Sequence, residues 1–150
     1  MAKVTADQIR KLRDSTGAPV MRVKKVLDEL GGDEKAAEKI LREEGFEKAK
    51  KRAERETKAG IIKTYTHHSN RVASVIELFA ETDFVARNDL FIDLAHNISL
   101  QVASMGVENI EEQDFIRDPS KKIKDLIKEV IAKTGENIRL GRVQRYELGE

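Results

Sequence analysis

The chain has 150 residues, of which 28 are basic and 27 acidic, leaving a formal net charge of +1; apolar residues make up 39% and charged residues 37%. That allows one core, or one core plus a small module, and the balanced charge gives no overall drive toward nucleic acid or anionic lipid. With no cysteine, disulfides, thiolate zinc sites and thiol catalysis are excluded; no apolar run approaches membrane-spanning length, and the first residues lack a secretory segment, so a cytosolic protein is expected.

Residues 5 to 45 predict three short helices. Thr5 is placed to cap the first, whose Ile9 and Leu12 begin an apolar stripe that stops near Ser15-Thr16-Gly17. Pro19 opens the second, because a first helical turn has no use for the missing N–H. Val23, Val26, Leu27 and Leu30 then keep helical spacing as far as Gly31-Gly32. Asp33 caps a third helix carrying Ala36, Ala37, Ile40 and Leu41, with Gly45 as its expected stop. Residues 1–45 thus form a recognition module, too small for a catalytic domain.

Residues 46–59 are expected to form a charged linker helix. Ala49 and Ala53 are almost its only apolar positions, and pairs such as Glu47 and Lys51 support helix formation. Without a wide apolar stripe it should bridge two parts of the chain through solvent. Lys48, Lys50, Lys51, Arg52 and Arg55 also suggest an RNA-binding arm, against which stand the interleaved acids and the lack of stacking aromatics.

Residues 60–150 read as an α+β core. Ile61 to His67 suits a strand, His68-Ser69-Asn70 a tight turn, and Arg71 to Ala80 an antiparallel partner. Val72, Ile76 and Leu78 share one face of that second strand and Ala73, Val75 and Phe79 the other, so both faces are expected to be buried. The pattern then changes. Thr82 can accept from the free N–H groups of a new helical turn, and Asp83 sits at that turn's positive end. Phe84 lies between Glu81, Asp83 and Arg87-Asn88-Asp89. Either it occupies an exposed polar corner or it folds back into the core, as most phenylalanines do.

Asn88 caps a longer helix with a stripe of Phe91, Leu94, Ala95, Ile98 and Val102, ending at Gly106. Residues 107–117 look polar and irregular. Asp118-Pro119 is expected to start the next helix, which carries Ile123, Leu126, Ile127, Val130 and Ile131 and stops at Gly135. Asn137 to Leu148 reads as a last strand with Ile138, Leu140, Tyr146 and Leu148 on one face. The order implies a three-stranded antiparallel sheet packed with helices.

No catalytic chemistry is evident, and neither cofactor nor metal is expected. His67 and His68 are adjacent, so in a strand they point to opposite faces and cannot share a metal; His96 has no partner near it in sequence. Glu77, Glu81 and Asp83 lack a further ligand group, and no glycine-rich loop could cradle the phosphates of GTP.

Thr82-Asp83-Phe84-Val85-Ala86-Arg87-Asn88 resembles the signature of the translation elongation factor Ts family, the guanine-nucleotide exchange factors of elongation factor Tu. The likeness extends in order over nearly the whole chain, through Thr16-Gly17-Ala18-Pro19-Val20-Met21, Gly60-Ile61-Ile62, His67-His68 and Gly135-Glu136-Asn137-Ile138. It implies an N-terminal module shaped like a ubiquitin-associated domain, with Val20 and Met21 carried over as partner contacts. Pro19 and Arg22 depart from that family's usual glycine and acidic residue. By the same resemblance, Phe84 acts as an apolar wedge near the partner's bound magnesium. Asp83 disturbs the contacts that hold the metal, and Thr82 and Val85 shape the turn. The implied partner is elongation factor Tu, GDP-bound and nucleotide-free, with no membrane or nucleic acid. Longer family members have two copies of the sheet unit and a helical hairpin, whereas this chain has room for one copy; a homodimer joined through the open sheet face is therefore expected. The rival readings are a module that holds a ubiquitin-like protein through residues 5 to 45, or an RNA-associated helper.

Overall fold

The structure is a computed structural model and describes residues 3–150. Three helices come first: α1 (Ala6–Thr16), α2 (Val20–Glu29) and α3 (Glu34–Arg52). Thr5 caps α1 reciprocally, its hydroxyl accepting from Gln8 N while its own N–H donates to the Gln8 side chain. Leu12, Val23, Val26, Leu27, Ala37 and Leu41 close a small core between the three helices.

The third helix overturns one expectation. Gly45 does not stop it, and the charged stretch does not bridge solvent: α3 runs unbroken for 19 residues. A Cβ at Gly45 would lie 3.1 Å from the Ala132 Cβ of a later helix, so the glycine is where two helices approach closely. Ala49, one turn on, is 4% exposed and belongs to the second, larger core. Around this seat Arg42 lies 3.9 Å from Glu129, Glu129 lies 3.0 Å from Lys121, and the Lys128 ammonium stands 5.6 Å from the Phe46 ring centre. A glycine inside a helix costs about 1 kcal/mol relative to alanine, and here close packing offsets it.

The remaining elements are β1 (Ala59–Thr66), β2 (Val72–Ala80), α4 (Asp83–Ala86), α5 (Asp89–Met105), β3 (Asp114–Phe115), β4 (Asp118–Lys122), α6 (Ile123–Thr134) and β5 (Ile138–Glu147). The fold is α+β. Its three-stranded antiparallel sheet has the order β1-β2-β5, and helices pack on one face. Ser74, Ile76, Leu78 and Ala80 of β2 are fully buried there, with Phe91, Leu94, Ile98 and Val102 from α5 and Ile123, Ile127 and Ile131 from α6 in the same core. The opposite row of Ala73, Val75 and Phe79 is only half-buried, so one face of β2 is covered rather than two.

Three further expectations change. In β5 a bulge breaks the alternation: Leu78 pairs with Leu140 but Ile76 with Val143, so Gly141 and Arg142 both oppose Glu77. Ile138 and Leu140 face inward before the bulge and Val143 after it, while Tyr146 and Leu148, at 62% and 66% exposure, turn out to the other face. Gly141 is required, since a Cβ there would meet the Phe79 ring at 2.5 Å. The Glu77 carboxylate fills the bulge, accepting from Arg142 N and Nε at 2.9 Å each and from Nη2 at 3.0 Å. These bonds, the guanidinium's first, hold its pKa down to about 2.

Asp118-Pro119 starts a strand rather than a helix. The β3–β4 ribbon is pinned by Gln101, fully buried in α5, which donates to the Asp114 carbonyl and accepts from Ile116 N, both at 3.0 Å. Pro119 is tolerated because the short ribbon leaves its position without a ladder to break, and α6 begins at Ile123. Finally, β1 ends at Thr66, so His67 and His68 lie in the turn. Their rings stack 4.0 Å apart instead of facing opposite ways. Among the described residues no group of three or more His, Asp or Glu is placed to hold a metal, and no helix is long and apolar enough to cross a membrane.

Two outcomes follow. Gly45→Leu should wedge α3 from α6 and cost about 1–3 kcal/mol of unfolding free energy, as overpacking does; unchanged denaturant midpoints would mean that the seat is not tight. Glu77 ionises more readily folded than unfolded, its pKa of about 2 lying below the ordinary 4.5. Its stabilising effect is therefore complete above pH 4.5 and is lost as pH falls toward 2. Thermal melts of Glu77→Gln should show a shallower loss across that window than the parent, and parallel curves would contradict this.

Candidate functional site

The turn after β2 is built by its cap. Thr82 keeps extended backbone, φ −130° and ψ 158°, and its hydroxyl accepts from Val85 N at 3.4 Å, which starts the four-residue α4. The helical twist then sorts the next four side chains. Val85 and Ala86 turn into the core at 9% and 4% exposure, and Asp83 and Phe84 turn out. Phe84 is 90% exposed, more than any other large apolar side chain among the described residues. Of the two places open to it, the exposed corner is the one it takes. Leaving such a ring in water forgoes roughly 1.5–3 kcal/mol of burial. Asp83 beside it makes no ion pair among the described residues.

The turn is braced from the other end of the chain. Both carboxylate oxygens of Glu136 accept from Thr82, one from the backbone N at 2.9 Å and one from the hydroxyl at 2.7 Å. Glu136 is aimed there by Gly135, which ends α6 in the left-handed region at φ 78°. The next residue, Asn137, is 5% exposed and ties three segments. Its N–H donates to Glu81 Oε1 at 3.2 Å, and its side-chain amide donates to the carbonyls of Arg55 at 2.8 Å and Ala53 at 3.3 Å. The Arg55 guanidinium lies 3.8 Å from Glu81. The end of α3, the turn after β2 and the start of β5 therefore meet at one joint.

Thr82, Asp83, Phe84 and Val85 are thus brought together in one turn, with Val85 as its anchor in the core. Val20 and Met21 stand apart, at 40% and 74% exposure on the first turn of α2, after the N-cap Pro19. Arg22 turns back within the module, its Nε donating to Glu44 Oε2 of α3 at 3.0 Å, so its charge is engaged internally. In the sequence Glu136 and Asn137 stand out only as part of the Gly135-Glu136-Asn137-Ile138 motif. Their partners lie 54 and more residues away, beyond the reach of local pattern.

A family model described as Elongation factor TS matches residues 81–150. The elongation factor Ts of Thermotoga petrophila is 40% identical over 194 aligned positions, which cover 99% of this chain and 98% of that protein. The elongation factor Ts of Oleidesulfovibrio alaskensis is 37% identical over 197 positions, covering 99% and 100%. Both alignments are longer than this chain, so each relative carries a stretch without a counterpart here. The elongation factor Ts of Clostridium botulinum is 42% identical over 148 residues, covering 97% of this chain and 48% of that protein. The chain thus spans about half the length of this last relative.

Proposed function

The chain belongs to the elongation factor Ts family and so to the translation elongation factors, and from that premise we propose that it is a guanine-nucleotide exchange factor for elongation factor Tu, acting in the cytoplasm. It makes and breaks no covalent bond; it binds the GDP-bound partner and favours the nucleotide-free one. Phe84 inserts as an apolar wedge beside the magnesium site, Asp83 disturbs the contacts holding the metal, and Thr82 and Val85 shape the turn. With the metal displaced, the phosphates are held less tightly, GDP leaves, and GTP then displaces the factor. The single observation carrying this is the 90% exposure of Phe84 on a turn fixed from both sides.

Energetics assign work to the rest of the chain. Weakening GDP ten-thousandfold requires about 5.5 kcal/mol of preference for the open partner, whereas burying one phenylalanine supplies roughly 1.5–3 kcal/mol. The module of residues 1–45 contributes further contacts through Val20 and Met21. The coupling is reciprocal, so GDP lowers the factor's affinity as much as the factor lowers that of GDP.

The core of residues 60–150 is also the dimerisation domain in this proposal. Its open sheet face carries Ile62 at 67% and Tyr146 at 62% exposure beside half-buried Ala73, Val75 and Phe79. Among the described residues, the N-terminal helices pack on α6, on the covered side of the sheet. A second copy related by a two-fold axis would cover both faces at once.

Phe84→Ala should leave the unfolding free energy within about 0.5 kcal/mol, as surface changes do. The same variant should slow catalysed release of labelled GDP from elongation factor Tu at least about tenfold, an apparent loss of about 1.4 kcal/mol in the transition state. An undiminished rate would remove the wedge. For the dimer, sedimentation at micromolar concentration should give a species of twice the 17.0 kDa chain mass; a clean monomer would overturn it.

A further inference from the structure

We infer that Glu136 is a positioning residue of the exchange turn: its carboxylate sets the direction of the Thr82 hydroxyl and thereby the exposure of Phe84. The inference rests on the exchange function proposed above and assigns to that function a residue outside the signature.

The geometry is a directed chain of hydrogen bonds. Val85 N–H donates to Thr82 Oγ1 at 3.4 Å, and the Thr82 hydroxyl proton donates to Glu136 Oε2 at 2.7 Å. Since the proton is committed to Glu136, the hydroxyl keeps its lone pairs for the helix N–H. The second oxygen, Oε1, accepts from Thr82 N at 2.9 Å and fixes the backbone on which the cap depends. Thr82 is the hinge of the turn: rotating its backbone would swing Phe84 toward the place that Val85 occupies. Only a carboxylate accepts on both oxygens. A glutamine there would keep one acceptor for Thr82 N but turn its NH2 on the hydroxyl, reversing that bond, removing its charge assistance and competing with Val85 N for the hydroxyl's lone pairs.

Glu136 is in turn held by its neighbours. Asn137 is tied to Glu81 and to the last carbonyls beyond α3, and Glu81 precedes Thr82 directly. The turn is therefore braced on both sides of its cap, and the brace reaches the helix that carries the N-terminal module. An exposed ring on a four-residue helix has no packing of its own to hold it, so its direction depends on this brace.

The test uses the full chain with elongation factor Tu loaded with fluorescent GDP, and measures release against factor concentration together with amide exchange at Thr82. Glu136→Gln should lower the maximal release rate about tenfold, as loss of a charge-assisted hydrogen bond allows, and should speed exchange of the Thr82 amide. If Glu136→Gln does not fold, Thr82→Val removes the hydroxyl arm and with it the cap on Val85 N, keeps the Thr82 N–H bond to Glu136, and should lower the maximal rate at least about threefold. An active parent with a variant whose amide exchanges faster but whose maximal rate is unchanged would overturn the positioning role alone. A parent that releases no GDP would overturn the exchange function itself.

Discussion

A large apolar ring stays in water only if the backbone beneath it has no better alternative. At Phe84 the alternative is a rotation of the turn by about 100°, one residue of helical twist, that would exchange its place with Val85. That rotation is opposed by burial of Val85 and Ala86 in the main core and by the two hydrogen bonds from Thr82 to Glu136. Val85 is a modest anchor, and a cap hydrogen bond contributes about 1 kcal/mol. Together they let a four-residue helix hold an exposed ring that forgoes roughly 1.5–3 kcal/mol of burial.

The same economy governs the link between the two cores. The small core of the first three helices and the larger core of the sheet are joined by one helix, α3, which contributes Ala37 and Leu41 to the first and Ala49 to the second. Gly45 lies between them and lets α3 settle against Ala132. Beyond α3, the carbonyls of Ala53 and Arg55 are held by Asn137, beside the very residue that clamps Thr82. Val20, Met21 and Phe84 thus belong to one braced body. In the proposed exchange function, surfaces fixed in advance would lose little conformational freedom on binding.

Much of this was legible in the sequence. Periodicity located the helical stripes, and cap residues such as Thr5, Asp33 and Asn88 marked their starts. The missed features share a cause: a residue whose local meaning has two values. Gly45 can end a helix or admit a neighbour, and only the position of Ala132 decides. Asp118-Pro119 fits a helix start equally well as an edge strand, and buried Gln101 decides. In β5 the signal was present, because Val143 is apolar at the wrong parity for a strand begun at Ile138, with Gly141 between them; a bulge reconciles all three. Phe84 is the converse case. Composition alone points it inward, and only the resemblance of its neighbours to a known signature pointed it out. The bonds of Glu136 and Asn137 span the chain and have no local trace.

The open face of the sheet shows how far one chain can make such a surface tolerable. Its apolar side chains do not form an unbroken patch. The Arg139 guanidinium lies 4.4 Å over the Phe79 ring, and Arg142, 82% exposed, is bound in two places to Glu77. These charges lie over the ring and fill the bulge. They also limit what a second copy gains. Covering Glu77 and Arg142 would strip water from an ion pair that already has its hydrogen bonds, and such desolvation can exceed the Coulombic return. Glu77 of that pair stands on the central strand, directly across from Ile62, so a second copy seated on Ile62, Val75 and Tyr146 meets the pair and the proposed dimer gains correspondingly less. An association of that kind is reversible and depends on concentration, unlike the obligate joining of two sheets within a single longer chain.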